Sequence, residues 1–408
     1  VNNNKGDDAN PNYRSRCCVR EIKKRNVGLL SPHEVFSAMP PLEAMKLLAS
    51  LMVSTVSRKG KPLKMAFWDI SRAHFYGKPK RDVYVELPEE DAEEGMCGLC
   101  DRSWYGTMDA SNIWQADYSD HLVSCGYTQG KSSAATFYHR ELDARCFVHG
   151  DDFCVVADEA GINHMDKILR ERYDLKITGK IGPGEQDCEA VMLNRVIRYI
   201  DKPGDPSIEI EGDKRHADML VKDLGLEAAK DVSTPIEKYK LEEILEAENL
   251  PPLEGQEATA YRSLTMRAAY AAQDRADINV ATKELARKMQ KPNAHDWRAL
   301  KRLGRYLKGR PRAVMIYRRQ RMPKTLHIVV DSDHAGCLRT RKSTTGMCVD
   351  FGRHTVKSHS GIQSTIALSS AESETYALVK GAAMGLSVQS LLWDWNIEVR
   401  VKLHSRSS

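Results

Sequence analysis

Two short apolar runs, Cys146 to Val148 and Phe153 to Val156, flank the tetrapeptide His149-Gly150-Asp151-Asp152. This pattern predicts a β-hairpin with two adjacent carboxylates at its tip, Gly150 supplying the backbone freedom of the turn. Upstream, Leu63 to Ile70 predicts a strand with Asp69 near its end and a polar turn over 71–77 behind it. Helical spacing appears over 40–56, where Pro40 opens a stripe of Leu42, Met45, Leu48, Leu51 and Met52, and over 111–125, closed by Gly126. Further helices are expected over 161–173, 216–224, 261–290, 295–308 and 369–392. Strands are expected over 83–87, 190–199, 207–211, 326–331 and 399–404.

Composition bounds the answer. At 408 residues, 41% of them hydrophobic, the chain can bury substantial cores and divide into two to four domains. Its formal charge of +5 is a small excess over many charges of both signs, so their distribution matters more than the sum. From His295 to Lys324 there are eleven Lys or Arg residues and one Asp. Arg298, Lys301, Arg302, Arg305 and Lys308 share one side of the helix expected there, a surface that suits a polyanion and above all a nucleic-acid backbone; a solvated basic helix is the plain alternative. Residues 237–257 are acidic and proline-punctuated and read as a linker, while the Asn- and Asp-rich residues 1 to about 15 read as disordered. The ten cysteines follow no framework spacing, which suggests reduced thiols in a cytosolic or nuclear protein. No stretch of about 18 uninterrupted apolar residues spans a membrane, and the N-terminus has no signal-peptide core. A start at Val1 rather than methionine suggests a piece of a longer chain.

Two like charges at a hairpin tip repel and are costly to desolvate, and a divalent cation is a common remedy. By itself a Gly-Asp turn is as readily a solvated one. With Asp69 ending a second strand, three aspartates make a minimal ligand set for two-metal phosphoryl transfer. A second acidic pattern, Asp331-Ser-Asp333 at a strand end and Glu372 and Glu374 in the first turn of a helix capped by Ser369 or Ser370, allows either metal ligation or ordinary capping.

The motif VHGDD, preceded by WDISRAHFYGKPKRDVYVELPEE and CDRSWYGTMDASNIW, resembles the reverse transcriptase of copia-type retrotransposons. VSTP at 232–235 resembles the end of that module, and YRSLTMRAAY, DRADINVATKELARKM and HDWRALKRLGRYLKG resemble the connection that follows it. VVDSDHAG, RKSTTGMCVDFG and ALSSAESETYAL resemble the family's ribonuclease H. The resemblance implies an α+β chain: a right-hand polymerase of fingers, palm and thumb over 16–236, an acidic linker over 237–260, a basic helical connection over 261–324, and a C-terminally truncated ribonuclease H-like domain over 325–408. It implies Asp69, Asp151 and Asp152 as catalytic, metal-binding acids with two Mg2+ or Mn2+ ions, and Arg72, His74, Tyr105, Gly106 and Asp109 at the nucleotide or template. His74 and Asp109 stand where an aromatic residue and a glutamine are usual, which bears on sugar discrimination and fidelity. Asp331 and Glu374 are implied as ribonuclease ligands, with Glu372 as a weaker candidate. Arg406 stands in the place of a third aspartate, so that activity is expected to be lost.

The partners implied are an RNA template, a DNA primer, RNA–DNA hybrid and dNTPs, with protease and integrase segments upstream. The setting implied is the cytoplasm, in virus-like particles, or the nucleus. Two alternatives stand beside RNA-directed DNA polymerase: a catalytically dead relic that only binds nucleic acid, and a metal-dependent nuclease acting on RNA–DNA hybrid.

Overall fold

A computed structural model describes residues 2–4, 10–11, 13–15, 17–21, 28 and 30–405. The chain divides into two units. One comprises Val1–Ala44, Ser57–Thr178 and Asp394–Asn396; the other comprises Met45–Val56, Gly179–Trp393 and Ile397–Ser408. Helices and sheets are mixed in both, so the fold is α+β.

Six strands form a sheet in the order Leu175–Ile181, Lys64–Ile70, Asp152–Ala157, Ala144–His149, Thr136–His139, Tyr127–Gln129. The two apolar runs of the hairpin do not alternate with polar residues because both faces of the sheet are buried. Trp68, Cys146, Val148, Phe153 and Val155 pack with Trp114, Tyr118 and Leu122 of helix Ala110–Ser124 and with Ile162, Met165 and Leu169 of helix Glu159–Arg170. Met65, Phe67, Phe147, Cys154 and Val156, on the opposite face, are equally inaccessible. Asp158 starts the second of these helices, its carboxylate accepting from the Gly161 amide at 3.2 Å.

The second unit contains a four-stranded antiparallel sheet in the order Glu189–Met192, Arg195–Ile200, Ser207–Gly212, Val314–Arg318. A helical cluster is built on Leu220, Leu224, Tyr261, Leu264, Ile278, Leu300, Leu303 and Leu307. A further sheet runs His354–Ile362, Thr344–Phe351, Thr325–Asp333, Arg400–Ser405, its last pair parallel. Helix Ser370–Asp394 lies close on that sheet through glycines: a Cβ at Gly381 would stand 2.5 Å from Val330 Cγ1. Residues 45–56 also belong to this unit, Ser50 bonding His354 Nδ1 at 2.7 Å and Lys46 pairing with Asp274 at 3.5 Å.

Several expectations need correction. Asn2–Asn4 and Tyr13–Ser15, within the stretch read as disordered, pair as an antiparallel ribbon; backbone pairing does not need the apolar side chains whose scarcity suggested disorder. Residues 1, 5–9, 12, 16, 22–27, 29 and 406–408, Arg406 among them, lie outside the described residues. Residues 190–199 are not one strand. Leu193 and Asn194, at φ 52° and 60°, turn the chain between Glu189–Met192 and Arg195–Ile200, as a two-residue type I′ hairpin requires. The helix expected over 261–290 is three pieces, Gly255–Ala271, a 3-10 turn Ala276–Ile278, and Asn279–Ala286. The 237–260 stretch read as a linker contains helix Leu241–Glu248 and the start of the next helix. Its leucines favour helix more than its prolines and acidity suggested. Among the described residues no helix is long and apolar enough to cross a membrane.

Candidate active site

The hairpin forms as the apolar pattern requires. Ala144–His149 pairs with Asp152–Ala157 so that His149 faces Asp152, leaving Gly150 and Asp151 as the whole turn. Gly150 has φ 67° and Asp151 does not enter the left-handed region, as in a type II′ turn. The neighbouring strand runs antiparallel in a register that sets Asp69 directly across from Asp152. Beyond that pair, the Ile70 amide donates to the Asp151 carbonyl at 2.9 Å, so backbone pairing continues into the turn. The three acids expected to act together therefore stand at one end of two adjacent strands.

Their environments differ. Asp151 is exposed, whereas Asp69 and Asp152 are half-buried. Burial, followed by the charges of Asp151 and Asp69, pushes the Asp152 carboxyl up to about 6. Among the described residues no three His, Cys, Asp or Glu side chains are gathered into a ready-made metal cage.

One contact at this site escaped the sequence reading. The Trp114 indole, from helix Ala110–Ser124, donates to the Gly150 carbonyl at 2.7 Å. Trp114 is buried edge-to-face against Tyr118 and Tyr173, at ring separations of 5.3 and 5.2 Å, so the turn is held by a packed aromatic cluster. Spacing on the helix marks Trp114 as inward-facing, but nothing local reveals which carbonyl it meets.

The remaining residues expected near nucleotide or template are placed in different surroundings. Arg72 is exposed at φ 56°, starts the turn Ala73–Tyr76, and pairs loosely with Asp174 at 3.5 Å. His74 and Tyr105 are brought together, their rings 4.6 Å apart, with Phe75 edge-on to Tyr105 at 5.4 Å. Gly106, at φ 94°, touches backbone: a Cβ there would lie 1.9 Å from the Val19 carbonyl oxygen. Asp109 is only 4% exposed and accepts from Arg81 Nε at 3.1 Å, while Arg81 also reaches Glu21 at 2.7 Å. Its carboxylate is engaged inside this ion-pair group rather than presented to solvent.

The basic residues expected on an open stripe are partly tied down. On helix Ala294–Gly309, Arg305 donates to the Lys230 carbonyl at 2.6 Å and Lys308 to the Ala229 carbonyl at 2.6 Å. Arg302 donates to Thr234 Oγ1 at 2.9 Å and pairs with Glu237 at 3.4 Å. Segment 229–237 thus satisfies three of the five, leaving Arg298 and Lys301 without an ion-pair partner among the described residues.

At the second acidic pattern the two glutamates separate. Glu372 accepts from the Leu368 amide at 2.7 Å and from the Tyr376 hydroxyl at 2.8 Å, and the Ser369 hydroxyl accepts from the Glu372 amide, which makes it a capping residue. Glu374 turns instead to the strand that carries Asp331, accepting from the Ser332 amide at 3.1 Å and from Ser405 Oγ at 2.9 Å. The parallel ladder of Thr325–Asp333 with Arg400–Ser405 reaches Val330 opposite Ser405. Arg406, the next residue, lies outside the described residues.

Comparison with known proteins gives the class first. Residues 1–183 match the family model described as reverse transcriptase (RNA-dependent DNA polymerase). Over 382 residues the chain is 23% identical to the retrovirus-related Pol polyprotein from transposon TNT 1-94 of Nicotiana tabacum, an alignment covering 91% of this chain and 27% of that one. Over 338 residues it is 24% identical to the retrovirus-related Pol polyprotein from transposon RE2 of Arabidopsis thaliana, covering 81% and 22%. It is also 30% identical over 170 residues to the uncharacterized mitochondrial protein AtMg00810 of Arabidopsis thaliana, covering 41% of this chain and 68% of that one. The chain belongs to the reverse transcriptase family of copia-type retrotransposon Pol polyproteins. It spans about a quarter of the length of the two Pol polyproteins it matches.

Proposed function

We propose that the chain is an RNA-directed DNA polymerase that extends a DNA primer on an RNA template by nucleotidyl transfer from dNTPs. The observation that carries this reading is the facing of Asp69 and Asp152 across adjacent strands with Asp151 in the turn beside them. Three carboxylates give an all-oxygen donor set suited to hard divalent cations such as Mg2+ or Mn2+. The upward shift of Asp152, caused by burial and its two acidic neighbours, marks like charge that a cation would offset. Two such ions held by Asp69, Asp151 and Asp152 would supply the positive charge that activates a primer 3′-hydroxyl and offsets a leaving pyrophosphate.

The protein's own groups supply position. Trp114 fixes the turn through the Gly150 carbonyl, and the Ile70–Asp151 backbone bond ties the two strand ends to one another. Arg72 and the His74–Tyr105 pair form the side that meets nucleotide and template in this reading, and Asp109 acts only by holding Arg81. Residues 16–236 correspond to fingers, palm and thumb. Arg298 and Lys301, on the basic helix, meet nucleic-acid phosphates. Residues 325–408 correspond to a ribonuclease H-like domain in which Asp331 and Glu374 are two ligands and Arg406 replaces a third, so cleavage of the RNA strand of a hybrid is lost.

A primer-extension assay on an RNA template with Mg2+ or Mn2+ tests the polymerase. Extension by the wild type that disappears in Asp151→Asn is expected; salt-sensitive binding without any extension would leave only a nucleic-acid-binding relic. Metal-dependent cutting of hybrid by this chain would overturn the ribonuclease assignment.

A further inference from the structure

The acidic stretch that composition marks as a linker is folded against the basic helix. A cavity of about 630 Å3 separates them, lined among others by Glu237, Glu243 and Glu246 on one side and by Arg298, Lys301 and Arg305 on the other. Tyr239 and His295 also line it and touch edge to face, their rings 4.5 Å apart. Glu237 reaches Arg302, but Glu243 and Glu246 form no ion pair with the basic helix, nor do Arg298 and Lys301 with any acid among the described residues. Opposed charges therefore face each other across open space. They act through their field rather than through contact bonds.

The acidic helix is also weakly held. Leu241–Glu248 buries none of its residues, and Leu241 and Leu245 are 41% and 50% exposed. Its attachments lie at its C-terminal end: Asn293 donates to the Ala247 carbonyl at 2.8 Å, and Glu248 pairs with Arg339 at 2.7 Å and with Lys288 at 4.0 Å. An element with no buried apolar anchor opens at low cost. A fixed set of carboxylates near a cationic helix competes with any incoming phosphate for the same field.

We infer that Glu237, Glu243 and Glu246 are a built-in competitor for the basic cleft, and that a nucleic-acid backbone enters by displacing helix Leu241–Glu248 from Arg298, Lys301 and Arg305. The inference rests on the reading that this helix meets nucleic acid. It adds that the chain restrains its own affinity, so that only a strand presenting several phosphates at once takes the site.

The test uses the whole chain and a fluorescently labelled RNA–DNA hybrid oligonucleotide. Replacing all three glutamates (Glu237→Gln, Glu243→Gln, Glu246→Gln) keeps the helix cap, because glutamine can still accept from the Lys240 amide as Glu243 does at 2.7 Å. Binding is expected to tighten roughly tenfold at low salt, with the gain shrinking as salt rises. An equal removal of charge from the exposed acidic loop (Glu89→Gln, Glu90→Gln, Glu94→Gln) is expected to change binding little. Equal tightening in both variants would reduce the effect to net charge and overturn the inference. If Arg298→Ala with Lys301→Ala leaves binding unchanged, the nucleic-acid reading of this helix fails. If that pair weakens binding while the glutamate variant does not strengthen it, only the competitor is lost. In the wild type, amide exchange over 241–248 is expected to speed up when the hybrid is added; unchanged or slower exchange would show that the helix is not displaced.

Discussion

The indole nitrogen of Trp114 lies 2.7 Å from the carbonyl oxygen of Gly150, joining a helix to the turn that carries Asp151. Trp114→Phe keeps most of the ring packing on Tyr118 and Tyr173 but removes the donor. The half-buried carbonyl then loses its partner, a cost of about 1 kcal/mol. Urea denaturation is expected to report that loss. If the turn is the catalytic platform, primer extension falls more steeply than nucleotide affinity, by roughly tenfold or more in kcat.

Gly150→Ala addresses the same turn by another route. No atom lies within 4 Å of where a Cβ would stand, so space is not the obstacle. The obstacle is φ 67°, which costs a non-glycine residue about 1–2 kcal/mol. A drop of that size without loss of the cooperative transition is expected, and an unchanged denaturation midpoint would show that the turn relaxes freely.

Acid should weaken the second unit through Glu211. Its carboxylate, buried between Arg312 and Arg198 and bonded to Arg312 Nε at 2.5 Å, is lowered to about 2, chiefly by the hydrogen bond from Arg312. A carboxyl depressed in the folded state stabilises fully above its unfolded value, near 4.5, and the benefit disappears as pH falls through the folded value. Arg312 is half exposed, so screening limits the contribution to about 1 kcal/mol or less. Denaturation profiles from about pH 6 down to 2.5 are expected to show this loss, and Glu211→Gln should flatten that part of the curve.

Gly381→Ala sets two effects of opposite sign against each other. Alanine favours a helix over glycine by about 1 kcal/mol. Yet the new methyl would stand 2.5 Å from Val330 Cγ1, on a stiff side chain that is fully buried in the sheet. Overpacking of this kind costs about 1–3 kcal/mol, so net destabilisation is expected. A raised melting temperature would mean that the helix shifts without penalty.

The parts of the site written as strand ends are readable without coordinates. Asp69 lies near the end of one apolar run, and Asp151 and Asp152 lie between two others, and a sheet can bring such ends together in few ways. What the chain conceals are contacts whose partners lie far away in sequence: Trp114 with Gly150, Asp109 with Arg81, and Arg305 and Lys308 with the carbonyls of 229–230. Acidity and prolines over 237–260 describe a linker well, whereas the partners that hold helix Leu241–Glu248, among them Asn293 and Arg339, lie far along the chain. The Leu193-Asn194 turn was invisible for a different reason, since leucine at positive φ carries no local signal.

Gly106 has its absent side chain filled by the backbone of Val19, whose amide in turn donates to the Tyr105 carbonyl at 2.8 Å. The Trp104 indole likewise reaches the Cys17 carbonyl, and the Met108 amide reaches Glu21. The stretch 17–21 is therefore a strap across the aromatic loop. A version of the protein trimmed to begin after Glu21 would keep every candidate acid, yet remove the three hydrogen bonds that tie down that loop, and should handle substrate worse than its intact hairpin would suggest.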